Sequence, residues 1–209
     1  MKKLLVIAAA VALLAACDES EDCVIKGTVP GDVSCVTLID ANRTPIDSCY
    51  VADGQFRLVC ERHKDAPVAV TVNNYSEPTI LVPESSSITL KIGPDGVVSI
   101  KGSKASKEFN DLQKWAVNFY MEANNELEKL FAAGDNQGAE DYMDGRNALI
   151  VKHCKPIFNA HKDDYVGVQA MVLMHNKLEK EEFLALYEKA GDCVKNDFRV
   201  SAYYNSVNR

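Results

Sequence analysis

The sequence predicts an α+β chain: an N-terminal antiparallel β-sandwich or partly open barrel, followed by an all-α helical bundle. Three observations carry this expectation. Short β-rich runs, separated by glycine, proline and aspartate clusters, fill residues 23–101. At Gly102-Ser103 the apolar period changes from that of a strand to that of a helix. Beyond that point apolar residues recur every three or four positions almost to Arg209.

The strands read in order. Cys23 to Val29 is the first, and Pro30-Gly31-Asp32 has turn composition. Ser34 to Asp40 follows, with Val36 and Leu38 on one face and Cys35, Thr37 and Ile39 on the other. After the loop Ala41 to Pro45 comes Ile46 to Val51. Asp53-Gly54 then signals a tight hairpin into Gln55 to Cys60, with Phe56 and Leu58 on one side. Pro67 to Asn73, Thr79 to Val82 and Ser87 to Ile92 are further strands. Gly93-Pro94-Asp95-Gly96 turns the chain into Val97 to Lys101. Seven or eight short strands joined by turns indicate a sandwich or partly open barrel.

The helices start at Ser103 or Ser106, both N-cap types. Phe109, Leu112, Ala116, Phe119, Ala123, Leu127 and Leu130 form one stripe, which Gly134 ends at a C′ position. Asn136 is the expected cap of a second helix carrying Tyr142, Leu149, His153 and Ile157, with a kink or break at Pro156. Asp163-Asp164 caps Tyr165 to His175, and Asn176 with Glu179 reads as a capping-box variant. Phe183, Leu186, Tyr187 and Ala190 mark the next helix, to Gly191. Asp192 to about Val207 reads as one last amphipathic segment with Val194, Phe198 and Tyr204.

The N-terminus reads as an export signal. Lys2-Lys3 precedes an apolar run from Leu4 to Leu14, then Ala15-Ala16-Cys17. The run is shorter than the roughly 20 apolar residues of a spanning helix. Leu-Ala-Ala-Cys resembles a bacterial lipobox, in which the cysteine receives a diacylglycerol and becomes the first mature residue. That implies lipidation at Cys17, with two or more acyl chains anchoring stably where one does not. The chain divides into 1–16 (signal), 17–22 (lipidated cysteine and acidic tether), 23–102 (β domain) and 103–209 (helical domain). Asp18-Glu19-Ser20-Glu21-Asp22 reads as a solvated tether. It also resembles the acidic stretch that directs some Bacteroidetes-type lipoproteins to the cell surface. The expected location is therefore the bacterial envelope, as an outer-membrane lipoprotein facing the periplasm or the exterior.

Losing Lys2 and Lys3 takes the formal charge from −7 to −9. An acidic chain without a basic cluster is a poor nucleic-acid binder, so none is expected as partner. The expected partners are the membrane, through the lipid, and a protein of the envelope. Charged residues at 25% and hydrophobic ones at 47% are those of a folded protein. Setting Cys17 aside, six of the seven cysteines remain: Cys23, Cys35, Cys49, Cys60, Cys154 and Cys193. Outside the cytoplasm these are candidate disulfide formers. Their spacing suggests Cys154 with Cys193 and the other four among themselves. None stands in a C-x-x-C pair, which excludes the usual thioredoxin redox pair and the paired-cysteine zinc knuckle.

Several pieces, in order, carry a family resemblance. They are Val24-Ile25-Lys26-Gly27-Thr28-Val29, Ile46-Asp47-Ser48, Val51-Ala52-Asp53-Gly54-Gln55-Phe56, Leu81-Val82-Pro83-Glu84 and Ile100-Lys101-Gly102-Ser103. Residues 23–103 resemble the domain of unknown function numbered 4369, a β-rich N-terminal domain of lipoproteins. In many members it leads, through helices, into a thioredoxin-like domain with a Trp-Cys-x-x-Cys site. The resemblance therefore implies kinship with membrane-tethered thiol–disulfide oxidoreductases. Trp115, the only tryptophan, does not precede a cysteine, so that activity does not carry over.

No catalytic residue is assigned. His153, Cys154 and His161 could be imagined as metal ligands, but their spacing around Pro156 completes no recognisable set, and no metal or other cofactor is expected. At Cys193 a helix start would lower the thiol pKa and Asp192 would raise it; a structural disulfide is the expected fate. Ser85-Ser86-Ser87 lacks the Gly-x-Ser-x-Gly frame of a nucleophile elbow. Glu179 to Glu182 reads as a wet helix face. The expected function is a non-catalytic binding or scaffolding lipoprotein. The alternative is an accessory or truncated relative of the thioredoxin-like lipoproteins.

Overall fold

The computed structural model describes residues 21–73 and 78–208. The expected signal peptide, Cys17 and most of the acidic tether lie outside the described residues. Eight strands come first: β1 (Asp22–Thr28), β2 (Cys35–Ile39), β3 (Pro45–Tyr50), β4 (Gln55–Glu61), β5 (Val68–Val72), β6 (Thr79–Leu81), β7 (Ser87–Ile92) and β8 (Val98–Lys101). They form two open four-stranded sheets, ordered β4-β1-β7-β8 and β3-β2-β5-β6. This is a sandwich and not a closed barrel. Alternation drives it: Ile25, Leu58, Ile88 and Leu90 of one sheet meet Val36, Leu38, Val70 and Leu81 of the other in one core.

One pairing departs from the expected antiparallel pattern. β1 and β7 run parallel, from Val24 opposite Ser87 to Thr28 opposite Lys91. The whole second sheet is threaded between them, so β7 re-enters the first sheet in the direction of β1. Gly27 is required at this join, because a Cβ there would stand 1.8 Å from the Leu90 carbonyl oxygen. The Asp53-Gly54 turn forms, with φ of 51° and 70° and an Ala52–Gln55 bridge. The strands on either side of it then part into different sheets. At this corner the Asp47 carboxylate of β3 accepts the backbone N–H of Val59 on β4.

Six helices follow: α1 (Lys104–Ala132), α2 (Asn136–Ala160), α3 (Tyr165–Met174), α4 (Lys180–Glu188), α5 (Asp192–Asn196) and α6 (Phe198–Val207), with a 3₁₀ turn at His175–Lys177. Ser103 caps α1, its hydroxyl accepting the Ser106 N–H at 2.9 Å. Gly134 follows that helix with φ of 72°. Asp164 caps α3 through the N–H groups of Val166 and Gly167. Helix α3 is buried almost all round, with α1, α2, α5 and α6 packed against it and α4 against α6.

Several local expectations need correction. The cap of α2 is Asp135, which accepts the Gly138 N–H; Asn136 is the first helical residue. That helix runs without a break through Pro156 to Ala160; Lys152, whose carbonyl loses its helical donor to Pro156, is an exposed residue. Its buried stripe is Ala139, Ile150, Cys154 and Phe158, one residue on from the stripe read in the sequence; Leu149 is 52% exposed. Asn176 lies in the 3₁₀ turn, and Glu179 caps α4 without a side-chain bond. The last segment is two helices, broken at Asp197, which caps α6 with its carboxylate. Val200 therefore enters the core while Phe198, expected inward, is 77% exposed.

Candidate functional site

The β and helical layers are joined by hydrogen bonds that follow from the sequence at Ser103-Lys104-Ala105-Ser106. Cap residue Ser103 and Ser106 both reach the main chain just after β6: the Ser106 hydroxyl accepts the Val82 N–H at 2.8 Å. Glu84 Oε1 accepts the Ala105 N–H at 2.7 Å. One turn on, the Asn110 amide donates to the Ile80 carbonyl at 2.8 Å. Helix α1 thus covers the free edge of β6, an edge that would otherwise invite another strand. Val82, Ala105, Phe109 and Val166 form a small core between the layers.

Beside this join lies a cleft of about 340 Å³, within the size range of small-molecule sites, which favour such inter-layer positions. Val68, Ile80 and Phe109 give it apolar walls; Arg43, Gln169 and Arg199 bring polar groups. Arg43 sits at φ 64° in the β2–β3 loop, held by Asp40, whose carboxylate accepts the N–H groups of Asn42 and Thr44. Among the described residues its guanidinium has no ion pair. Arg199 is gripped by Asp197 through two parallel bonds, of 3.0 and 2.8 Å. Gln169, on the central helix α3, is only 7% exposed. Its amide makes no hydrogen bond among the described residues. Among the described residues the buried side-chain polar atoms without a hydrogen-bond partner are His63 Nδ1, Glu108 Oε2 and Arg146 Nε, so the Gln169 amide meets the solvent of the cleft and not a dry core.

A second groove, of about 460 Å³, lies between α1 and α2. Trp115 and His153 stack in it with ring centroids 3.7 Å apart. Burial holds the His153 pKa below the ordinary histidine value. At the same groove His161 stands between two carboxylates, with Nδ1 2.7 Å from Asp164 and Nε2 3.1 Å from Glu108. The Glu108 contact is at ion-pair distance but off hydrogen-bond alignment, which leaves its Oε2 buried without a bond. The cluster ties the end of α2 to the starts of α1 and α3. Among the described residues no serine, threonine or cysteine lines the groove beside this histidine. Among the described residues no three His, Cys, Asp or Glu side chains gather as a metal site.

The six described cysteines are free thiols in very different settings. Cys23 and Cys60 stand opposite each other across β1 and β4, both in the sandwich core. Cys49 pairs in register with the fully buried Val36, and Cys35 with Tyr50, which is 88% exposed. Side chains alternate, so Cys35 and Cys49 point to opposite faces of their sheet. Cys154 is fully buried in the helical core, and burial pushes its thiol up to about 12. Cys193 lies against the Asp65 carbonyl at the other end of α3. Burial, then Asp65, Asp164 and Asp163, push its thiol up to about 12. The acidic neighbours thus prevail over any help from the short α5, and neither thiol is a ready nucleophile.

Of the candidate residues named from the sequence, the structure brings together Cys23 with Cys60. His153 and His161 share the α1–α2 groove, while Cys154 turns into the core. The cleft residues Arg43, Gln169 and Arg199 were not foreseen, since no local pattern links them. None of the family models, curated proteins or solved structures compared with this chain matches it.

Proposed function

We propose that this chain is an envelope-anchored lipoprotein that binds a small ligand and catalyses no reaction. The anchor reading rests on the leader, from Lys2-Lys3 through the apolar run to Leu14-Ala15-Ala16-Cys17. The binding reading rests on one observation above all: the Gln169 amide lines the inter-layer cleft and makes no hydrogen bond among the described residues. A ligand that bonds this amide takes the place of cleft water there. Arg43, which has no ion pair among the described residues, and the apolar walls define the ligand class as a molecule with one carboxylate head and a compact apolar body. Burial of the Cys23 and Cys60 thiols in the core weighs against the thiol–disulfide oxidoreductase alternative.

Two experiments separate the two halves of this reading. Thermal-shift titration of the purified protein with hexanoate, phenylacetate and N-acetylleucine should raise the unfolding midpoint, whereas hexylamine should not. Equal shifts with acids and amine, or none with any of them, would remove the cleft assignment. For the anchor, Cys17→Ser should abolish lipid attachment and detergent partitioning. A variant that is still processed and still pellets with membranes would sink the lipoprotein reading.

A further inference from the structure

The register of β1 and β4 assigns a covalent site that the free-thiol state does not display. We propose that Cys23 and Cys60 form a cross-strand disulfide, and that it is the single disulfide among the six described cysteines. The two residues are direct partners in the ladder, Cys23 opposite Cys60, flanked by Asp22 opposite Glu61 and Val24 opposite Val59. Partners in a ladder share a face, and here both side chains enter the sandwich core, at 0% and 6% exposure. Ladder phase can be read from its ends. The Arg62 N–H donates to the Glu21 carbonyl and the Val29 N–H to the Gly54 carbonyl, both in the register of Cys23 and Cys60. Cys23 and Cys60 are therefore a hydrogen-bonded pair, for which Cα atoms stand about 5.5 Å apart. That lies within the Cα range disulfides span, and because side chains of a hydrogen-bonded pair stand wider apart than those of a non-hydrogen-bonded one, closing the bond draws the two Cβ atoms together. The thiols already act on each other: the hydrogen bond from one lowers the pKa of Cys23, and the same bond raises that of Cys60.

The remaining cysteines have no such partner. Cys35 and Cys49 are diagonal across β2 and β3 and point to opposite faces. Cys154 is deep in the helical core, and Cys193 lies against Asp65 in the loop after β4. The oxidant is a disulfide donor, protein or small molecule. The Cys23 thiolate attacks one donor sulfur, and the donor's other sulfur leaves as a thiol. Cys60 then displaces the first donor sulfur from the mixed disulfide. Two thiols of the chain are oxidised, one donor disulfide is reduced to two thiols, and the two protons pass to the donor. Access is not through the closed core. Cys23 and Cys60 lie near the end of the ladder, and β4 is the outer strand of its sheet, so fraying or incomplete folding exposes them. Once made, the bond pins an edge strand to β1, the strand that directly follows the acidic tether.

The test needs no knowledge of where the protein resides. Full-length protein is reduced, refolded with glutathione disulfide, alkylated and digested. The expected map shows one linked peptide joining Cys23 to Cys60, with Cys35, Cys49, Cys154 and Cys193 alkylated. Reductant should then lower the unfolding midpoint of the oxidised protein by roughly 5–15 °C. That shift should vanish in the Cys23→Ala/Cys60→Ala double variant. Recovery of Cys23 and Cys60 as alkylated thiols after oxidation, or of either linked to a different cysteine, overturns the proposal. The wild-type peptide map decides the matter even if the double variant does not fold.

Discussion

The indole of Trp115 and the imidazole of His153 stack with their planes 11° apart, the closest aromatic pairing among the described residues. Burial disfavours the imidazolium, so the His153 pKa lies below the ordinary histidine value of about 6.5. The sign of the linkage follows. The folded state resists a proton that the unfolded chain accepts, so this contribution to stability is full above that value and lost as pH falls. A protonated imidazole quenches a stacked indole, and Trp115 is the only tryptophan. Its emission should fall on acidification with a midpoint below about 6.5. His153→Gln should flatten the titration. A midpoint above the ordinary histidine range would contradict the buried stack.

Asp47 closes the corner of the sandwich. Its Oδ2 accepts the Val59 N–H at 2.8 Å, and its Oδ1 accepts the Ser48 N–H at the same distance. Val59 lies on the outer strand of the first sheet, where a free N–H would face water or another chain. Asp47→Ala should lower the unfolding free energy by about 1–2 kcal/mol. Asp47→Asn, which keeps one acceptor oxygen for the two N–H groups, should lose less than Asp47→Ala. Urea denaturation of the three proteins reads the difference, and equal losses in both variants would show that the oxygen is not what matters.

The junction of α5 and α6 carries a pH dependence of its own. Burial alone would raise the Asp197 pKa, but the hydrogen bonds and charge of Arg199 outweigh it and hold the carboxyl below its usual range. A depressed carboxylate stabilises the fold above its unfolded pKa of about 3.9, and that contribution is lost as pH falls through the lower folded value. Asp197→Asn retains an N-cap oxygen but not the charge. At pH 7 it should cost about 1–2 kcal/mol, and the gap from the parent should close as acid protonates Asp197. A gap constant down to about pH 2 would assign the cost to packing instead.

Much of this architecture is legible in the sequence where a local rule acts alone. The strands are marked by strict alternation, as at Val36 and Leu38, and by turn residues such as Asp53-Gly54, whose positive φ angles the structure realises. Helix α1 is marked by a long single stripe and a serine cap. Legibility fails where two environments compete for one element. Helix α2 presents Ile150, Cys154 and Phe158 to the core and His153 and Ile157 to a groove, so its apolar residues spread over two faces and the stripe reads one residue early. Asp197 looks like any polar residue until the chain breaks there to cap α6. The parallel pairing of β1 with β7 depends on the path of the whole second sheet, which no local pattern encodes. The cleft is hidden for the same reason: Arg43, Ile80, Phe109, Gln169 and Arg199 come from five separate segments.

Gln169 offers the sharpest test of that cleft, because its replacement should spare stability and weaken binding. A glutamine kept for packing or for an internal hydrogen bond would destabilise the protein when replaced. Here the side chain is 7% exposed and its amide has no partner among the described residues, so Gln169→Met breaks no internal hydrogen bond and retains most of the volume. The empty variant should unfold within about 1 kcal/mol of the parent. Its thermal shift with the carboxylates should nevertheless fall by a factor equivalent to a tenfold or greater loss of affinity. Arg43→Gln, on an exposed loop, should leave stability unchanged and weaken the same response. Loss of stability in Gln169→Met without loss of the ligand response would mean that the amide serves the fold, and the cleft would lose its claim as a binding site.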